Sequence, residues 1–145
     1  MKISLRKITE KNCEECLKLS LFPDQRKFMG SNENSLAQAY AYRELEPRAI
    51  YNDETMVGFI MYAKDPERGN YYINRFMIDK NYQRKGFGRE ALKLLLAHLK
   101  ETGVEAVDIL HRPDNHDAVK LYRELGFEAT EDTYEDDQIS RVKLI

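Results

Sequence analysis

Residues Gln83-Arg84-Lys85-Gly86-Phe87-Gly88 stand between a run of β-formers, Tyr72-Ile73-Asn74-Arg75-Phe76-Met77-Ile78, and a leucine-rich segment, and this junction restricts the fold more than any other stretch. Glycines spaced this way suit a strand-to-helix turn whose backbone takes positive φ or lets another group come close. A helix opening on such a turn leaves backbone N–H groups without intrahelical partners, and that is a site for a phosphate. The turn therefore reads as a pyrophosphate cradle, with Arg84, Lys85 and Arg89 adding positive charge. Two other phosphate turns do not fit. A dinucleotide fold needs a third glycine where Ala91 stands, with a second half that does not follow, and a P-loop needs G-K-[ST].

Around this junction the chain divides into short periodic pieces. Ile3, Leu5 and Ile8 suggest a first strand, Thr9 offers an N-cap, and the helix after it carries Cys13, Cys16, Leu17 and Leu19 to Leu21 up to Pro23. Asp24 to Asn34 reads as irregular, and a second helix runs through Leu36, Ala37, Ala39, Tyr40 and Ala41. Arg48 to Asn52 and Met56 to Ala63 form a β-hairpin about Asp53-Glu54. A strand from Tyr71 to Asp79 leads into the glycine turn, with Asp79 placed to cap the loop after it. Beyond Gly88, Leu92, Leu95, Leu96 and Leu99 give a helix one buried face, and Gly103 ends it. Val104 to Leu110 alternates as a strand, and Asp114 is placed to cap a helix striped by Ala118, Leu121, Tyr122 and Leu125. A last hairpin turns at Glu135-Asp136-Asp137. The order predicts an α/β (α+β) domain over residues 1–145, a mixed sheet with helices on its faces.

Acidic and basic residues nearly cancel at a formal net charge of −2, so overall charge offers no argument for a nucleic-acid partner. Cys13 and Cys16 have C-x-x-C spacing, but His98, His111 and His116 are scattered, so no metal site is expected and the pair reads as reduced helix residues. No leader, transmembrane run or lipidation motif is visible, which predicts a soluble cytoplasmic protein without a membrane partner.

The pattern that does fit is Gln83-x-x-Gly86-x-Gly88, followed by Asn115-x-x-Ala118-x-x-Leu121-Tyr122-x-x-x-Gly126-Phe127. The two together resemble the GNAT superfamily of acyl-CoA N-acyltransferases. Within it, Ala49-Ile50-Tyr51, Val57-Gly58-Phe59 and Asn74-Arg75-Phe76-Met77-Ile78-Asp79 look most like the small bacterial spermine/spermidine (diamine) acetyltransferases. The resemblance implies a mostly antiparallel sheet with helices on both faces, acetyl-CoA as co-substrate, and a possible homodimer. It also assigns roles. The Gln83–Gly88 turn, with Phe87 and Arg89 beside it, would bind the pyrophosphate; a backbone N–H in Phe76-Met77-Ile78 would meet the oxyanion; Asn115 would hold the pantetheine arm.

Transfer from a thioester to an amine requires a neutral amine, and an alkylammonium of pKa near ~10.4 must first lose a proton. Tyr122 matches the superfamily tyrosine that protonates the departing thiolate, a workable task for a phenol of pKa ~10 against a thiol near ~8.5. Some relatives carry an acid where Asn74 stands, and an amide is no base, so proton removal falls to water, to Glu33 or Glu44, or to another acidic residue. Glu33, Tyr40, Tyr42 and Glu44, in the helical region that overhangs the substrate in this superfamily, are candidates to touch the amine, as is Asn74. The acidic run from Glu128 to Asp137 is either a solvated face or an attractor for a polycation. A polyamine is the leading acceptor; an aminoglycoside, a protein N-terminus or lysine, and a coenzyme A-binding module without turnover are the alternatives.

Overall fold

The sheet is built on its most apolar strand. The computed structural model describes residues 1–145, and its seven strands lie in the order β1-β2-β3-β4-β5-β7-β6. These are β1 (Ile3–Lys7), β2 (Glu46–Asn52), β3 (Thr55–Lys64), β4 (Tyr71–Ile78), β5 (Ala106–His111), β6 (Glu128–Tyr134) and β7 (Asp137–Lys143). All neighbours are antiparallel except β4 and β5. Every residue from Met56 to Ala63 in β3 is buried, because both faces of the sheet are covered there. Gly58 has a packing reason: a Cβ on it would lie 2.4 Å from the Met77 carbonyl oxygen.

Two helices cover one face and two the other. α3 (Phe87–Glu101) buries Leu92, Leu95, Leu96 and Leu99 against Ile50, Ile60, Ile73 and Val107, and α4 (His116–Glu124) adds Tyr122 to that core. Each of these leucines is worth roughly 1.5–3 kcal/mol in burial. On the opposite face, α1 (Cys13–Lys18) and α2 (Asn32–Ala41) pack Cys16, Leu36 and Ala39 over Ala49, Phe59, Met61 and Met77. Both cysteines are free, and burial pushes the Cys16 thiol up to about 12, so it stays protonated. No helix is long and apolar enough to cross a membrane, and no group of three or more His, Cys, Asp or Glu side chains gathers as a metal site would require.

Several local expectations change. The N-cap of α1 is Asn12, not Thr9; Thr9 instead opens a turn in which its N–H donates to Asn12 Oδ1, and α1 ends before Leu19. The stretch expected to be irregular holds a 3-10 helix, Pro23–Phe28, and α2 begins early because Ser31 Oγ accepts from the Asn34 N–H at 3.2 Å. Asp114 does not cap α4; Asn115 takes that position without a side-chain bond. Asp79 does cap, accepting from the Ser20 N–H at 2.8 Å and the Asn81 N–H at 3.1 Å.

The feature that makes a site is a defect in the sheet. β4 and β5 pair only from Tyr71 to Ile73, against Val107 to Ile109, while β4 stays paired with β3 as far as Ile78 opposite Gly58. From Asn74 onward the edge of β4 that faces β5 has no strand beside it. The parting begins at a bulge: Met61 pairs with Arg75 and Tyr62 with Ile73, which leaves Asn74 as the extra residue on β4. Bulges at such places bend a strand and re-aim its side chains.

Candidate active site

The gap between β4 and β5 opens into a cleft of about 840 Å³ that passes between the two helical layers. Its walls are β4 from Ile73 to Ile78, the glycine turn, the end of β5, the inner side of α4 and the 3-10 helix. Of the residues singled out from sequence, Asn74, Phe76, Met77, Ile78, Gln83, Arg84, Gly86, Phe87, Gly88, Arg89, Asn115 and Tyr122 line it. Lys85 is exposed on the turn but outside the lining. Glu33, Tyr40, Tyr42 and Glu44 are not in the cleft wall: Glu33 borders a separate small cavity, and Tyr40 points outward at 75 % exposure with Arg43 over its ring. α2 lies on the sheet, so its outer residues face away from the gap.

The turn is built as its glycines suggest. Gly86 is the N-cap of α3 at φ 86°, ψ 2°, and no side chain caps the helix. The first-turn N–H groups therefore face the cleft unsatisfied, with the positive end of the helix dipole behind them. Arg84 also takes a positive φ, 62°, which turns its exposed guanidinium across the mouth to Asp117 at 3.7 Å. Arg89 pairs with Glu124 in the same direction, so two ion pairs link the turn to α4. Gln83 is a strut: its Nε2 donates to the Ile78 carbonyl at 3.0 Å and to Gln25 Oε1 at 2.9 Å, joining the turn to β4 and the 3-10 helix.

At the inner end of the cleft Tyr122 is fixed by three rings, Phe76 at 6.3 Å, His111 at 5.5 Å and Phe127 at 5.9 Å. No charged group or hydrogen-bond partner offsets its burial, which pushes the phenol well above its usual range, so it remains a hydrogen-bond donor. His111 has both nitrogens engaged. Nδ1 lies 3.2 Å from the Arg112 carbonyl, which only accepts, so in the neutral ring Nδ1 carries the proton and Nε2 accepts from Ser140 Oγ at 2.8 Å. At the bulge, Asn74 Oδ1 is buried without a donor, and so is Arg112 Nε without an acceptor.

Arg75, Arg112, Asp24 and Asp137 also line the cleft, and none was singled out from sequence as a site residue in its own right. The sequence holds Asp137 within the acidic run from Glu128, and strand register and alternation single it out: Ser140 and Val142 point to the α3 side, which puts Asp137, Ile139 and Arg141 on the other.

The arrangement suits coenzyme A. A sheet edge with free amide groups can take an extended amide-bearing arm, and an uncapped glycine turn beyond it can take a pyrophosphate. Residues 7–127 match the profile of the acetyltransferase (GNAT) family. A spermine/spermidine N(1)-acetyltransferase of Bacillus subtilis (strain 168) is 30% identical over 135 residues, 88% of this chain and 89% of that protein. Among solved structures, an acetyltransferase from Thermus thermophilus superposes with TM-score 0.80 at 18% identity, covering 99% of this chain and 97% of its own. A PaiA N-acetyltransferase from Thermoplasma acidophilum in complex with coenzyme A gives 0.71 at 20%, covering 99% of both chains. The family profile spans most of the chain and the bacterial relative nearly all of it: this protein belongs to the GNAT family of acetyl-CoA-dependent N-acetyltransferases.

Proposed function

We propose that this chain acetylates a primary amine of a small polyamine such as spermidine or spermine. The observation that carries the substrate class is the likeness, over nearly the full length of both chains, to a protein named for those two amines. Acetyl-CoA supplies the activated acetyl group. The chain's own residues divide the remaining work. N–H groups of the Gly86–Arg89 turn, with Arg84 and Arg89 released from Asp117 and Glu124, hold the phosphates. Backbone donors in Phe76-Met77-Ile78 meet the oxyanion, a contribution typically worth ~3 kcal/mol of barrier. Asn115 binds the pantetheine arm, and the Tyr122 hydroxyl gives its proton to the departing sulfur.

A second reading keeps this chemistry but changes the amine. Arg75 is held by the neutral Ser35 and Gln38, and Arg112 carries the unsatisfied Nε; both line the cleft and suit an acceptor with its own carboxylate, such as a peptide N-terminus. An acetyl-CoA turnover assay against spermidine, spermine, a monoamine of equal length, an aminoglycoside and a short peptide separates the two. The polyamines should exceed the monoamine in kcat/KM by about 10²-fold, equivalent to roughly 2.7 kcal/mol of added contacts. Their KM should rise with salt, because exposed ion pairs are screened. Equal efficiency on monoamine and polyamine, or a preference for the peptide, overturns the polyamine assignment.

A further inference from the structure

An amide at position 74 leaves the proton of the incoming ammonium without an evident taker, and the carboxylates around the cleft are not equivalent. Five line it: Asp24, Asp114, Asp117, Glu124 and Asp137. Asp117 and Glu124 face Arg84 and Arg89 and, like Asp24 and Asp114, are exposed to solvent. Asp79, buried nearby in sequence, spends both oxygens on backbone N–H groups. Asp137 alone is half-buried with a carboxylate that makes no hydrogen bond or ion pair within the protein.

Its place in the sheet gives that carboxylate a direction. Gln138 pairs with His111 at the end of β5, so Asp137 stands one step beyond the last pair, where β5 gives way to Arg112 and β4 has already diverged. Alternation puts Asp137 on the α1/α2 face, while Tyr122 packs on the α3/α4 face. The two residues therefore flank the gap from opposite sides of the sheet. A half-buried carboxylate without a donor is an incomplete arrangement, and an ammonium group brings three.

We propose that Asp137 receives the ammonium group of the acceptor and removes its proton, from the face of the sheet opposite Tyr122. The proposal rests on the acetyl-transfer reading of the same cleft. One N–H bond of the ammonium breaks, its proton passes to a carboxylate oxygen of Asp137, and the electron pair left on nitrogen attacks the thioester carbonyl carbon. The C–S bond then breaks, sulfur takes the proton of Tyr122, and the second proton lost by nitrogen restores the phenol. Asp137 returns its proton to water, the one proton released per turnover.

The charged and titratable groups that face Asp137 come from three elements: Arg75 on β4, His111 and Arg112 at the end of β5, and Glu135 on its own hairpin. Burial raises its pKa, Arg112, Arg75 and His111 pull it back, and Glu135 pushes it up; the net displacement is above the ordinary carboxylate value. Activity should accordingly fade on acidification through a limb higher than that of a free aspartate, as the base becomes protonated.

The test compares the parent with Asp137→Asn and Asp137→Glu, using whichever amine of the panel the parent turns over fastest. In Asp137→Asn, kcat/KM for the amine should fall by about 10³-fold at neutral pH and climb about tenfold per pH unit toward the amine's pKa near ~10.4, as water takes over deprotonation. KM for acetyl-CoA should not change, and Asp137→Glu should recover part of the rate and the acidic limb. A loss within about threefold, or a larger loss without recovery at high pH, overturns the assignment, because a positioned base of this kind is worth at least ~10². A non-polyamine as fastest acceptor overturns the substrate proposal and leaves this comparison intact, whereas a parent that acetylates no amine overturns both.

Discussion

Replacing Tyr122 by phenylalanine should lower turnover by about 10²-fold, the usual range for one positioned proton donor. The ring sits among Phe76, His111 and Phe127, and those contacts survive the substitution. Only the hydroxyl goes, and no partner that tunes it is left stranded. Stability and acetyl-CoA affinity should therefore stay near the parent's, so the loss falls on kcat and kcat/KM together. Burial raises the phenol's pKa, which keeps it protonated through the neutral range and beyond the ~10 of a free tyrosine. Loss of the Tyr122 proton should thus add no alkaline limb below that value. Turnover within about threefold of the parent, against the ~10² expected of such a donor, would reduce Tyr122 to a packing residue.

Gly86→Val should weaken acetyl-CoA binding by at least about tenfold, or ~1.4 kcal/mol. Two effects act in the same direction. A β-branched residue at φ 86° is strained by about 1–3 kcal/mol, so the turn relaxes away from the conformation that presents its N–H groups. The added carbons also stand where a phosphate must approach the backbone. The space itself is open, the nearest atom to a Cβ being Met1 Cε at 3.6 Å, so the variant should fold with reduced stability rather than fail to fold. Isothermal calorimetry with coenzyme A reads the affinity, and thermal unfolding reads the strain. An unchanged dissociation constant in a folded variant would remove the phosphates from this turn.

The parts of the molecule legible in the sequence are those with local causes. The glycine turn, the leucine stripe of α3 and the hairpin about Asp53-Glu54 each carry their own turn chemistry or periodicity and form as expected, while the last hairpin turns at Glu135-Asp136 alone, with Asp137 already the first residue of β7. The 3-10 helix Pro23–Phe28 escaped because part of what holds it is distant: Gln25 pairs with Gln83, 58 residues away. Thr9 and Asn12 are both competent caps, and only the fold chooses between them. The bulge at Asn74 is a property of register with β3, invisible in either strand alone. Glu33, Tyr40, Tyr42 and Glu44 are candidates only through the overhanging helical region of the superfamily; none of them lines the cleft, and no local signal encodes where that region lies on the sheet. Asp137 was legible only as one member of the acidic run from Glu128 and of its turn, since its value depends on which face of β7 it occupies and on where β4 leaves β5.

The central claim is that acetyl-CoA lies along the free edge of β4 and ends at the uncapped turn. Amide hydrogen exchange with and without coenzyme A tests it most directly. Protection should appear in residues 74–78 and 84–89 and be small in β1, β2 and β6, which lie away from the gap. Protection elsewhere with these two segments unchanged would contradict the site.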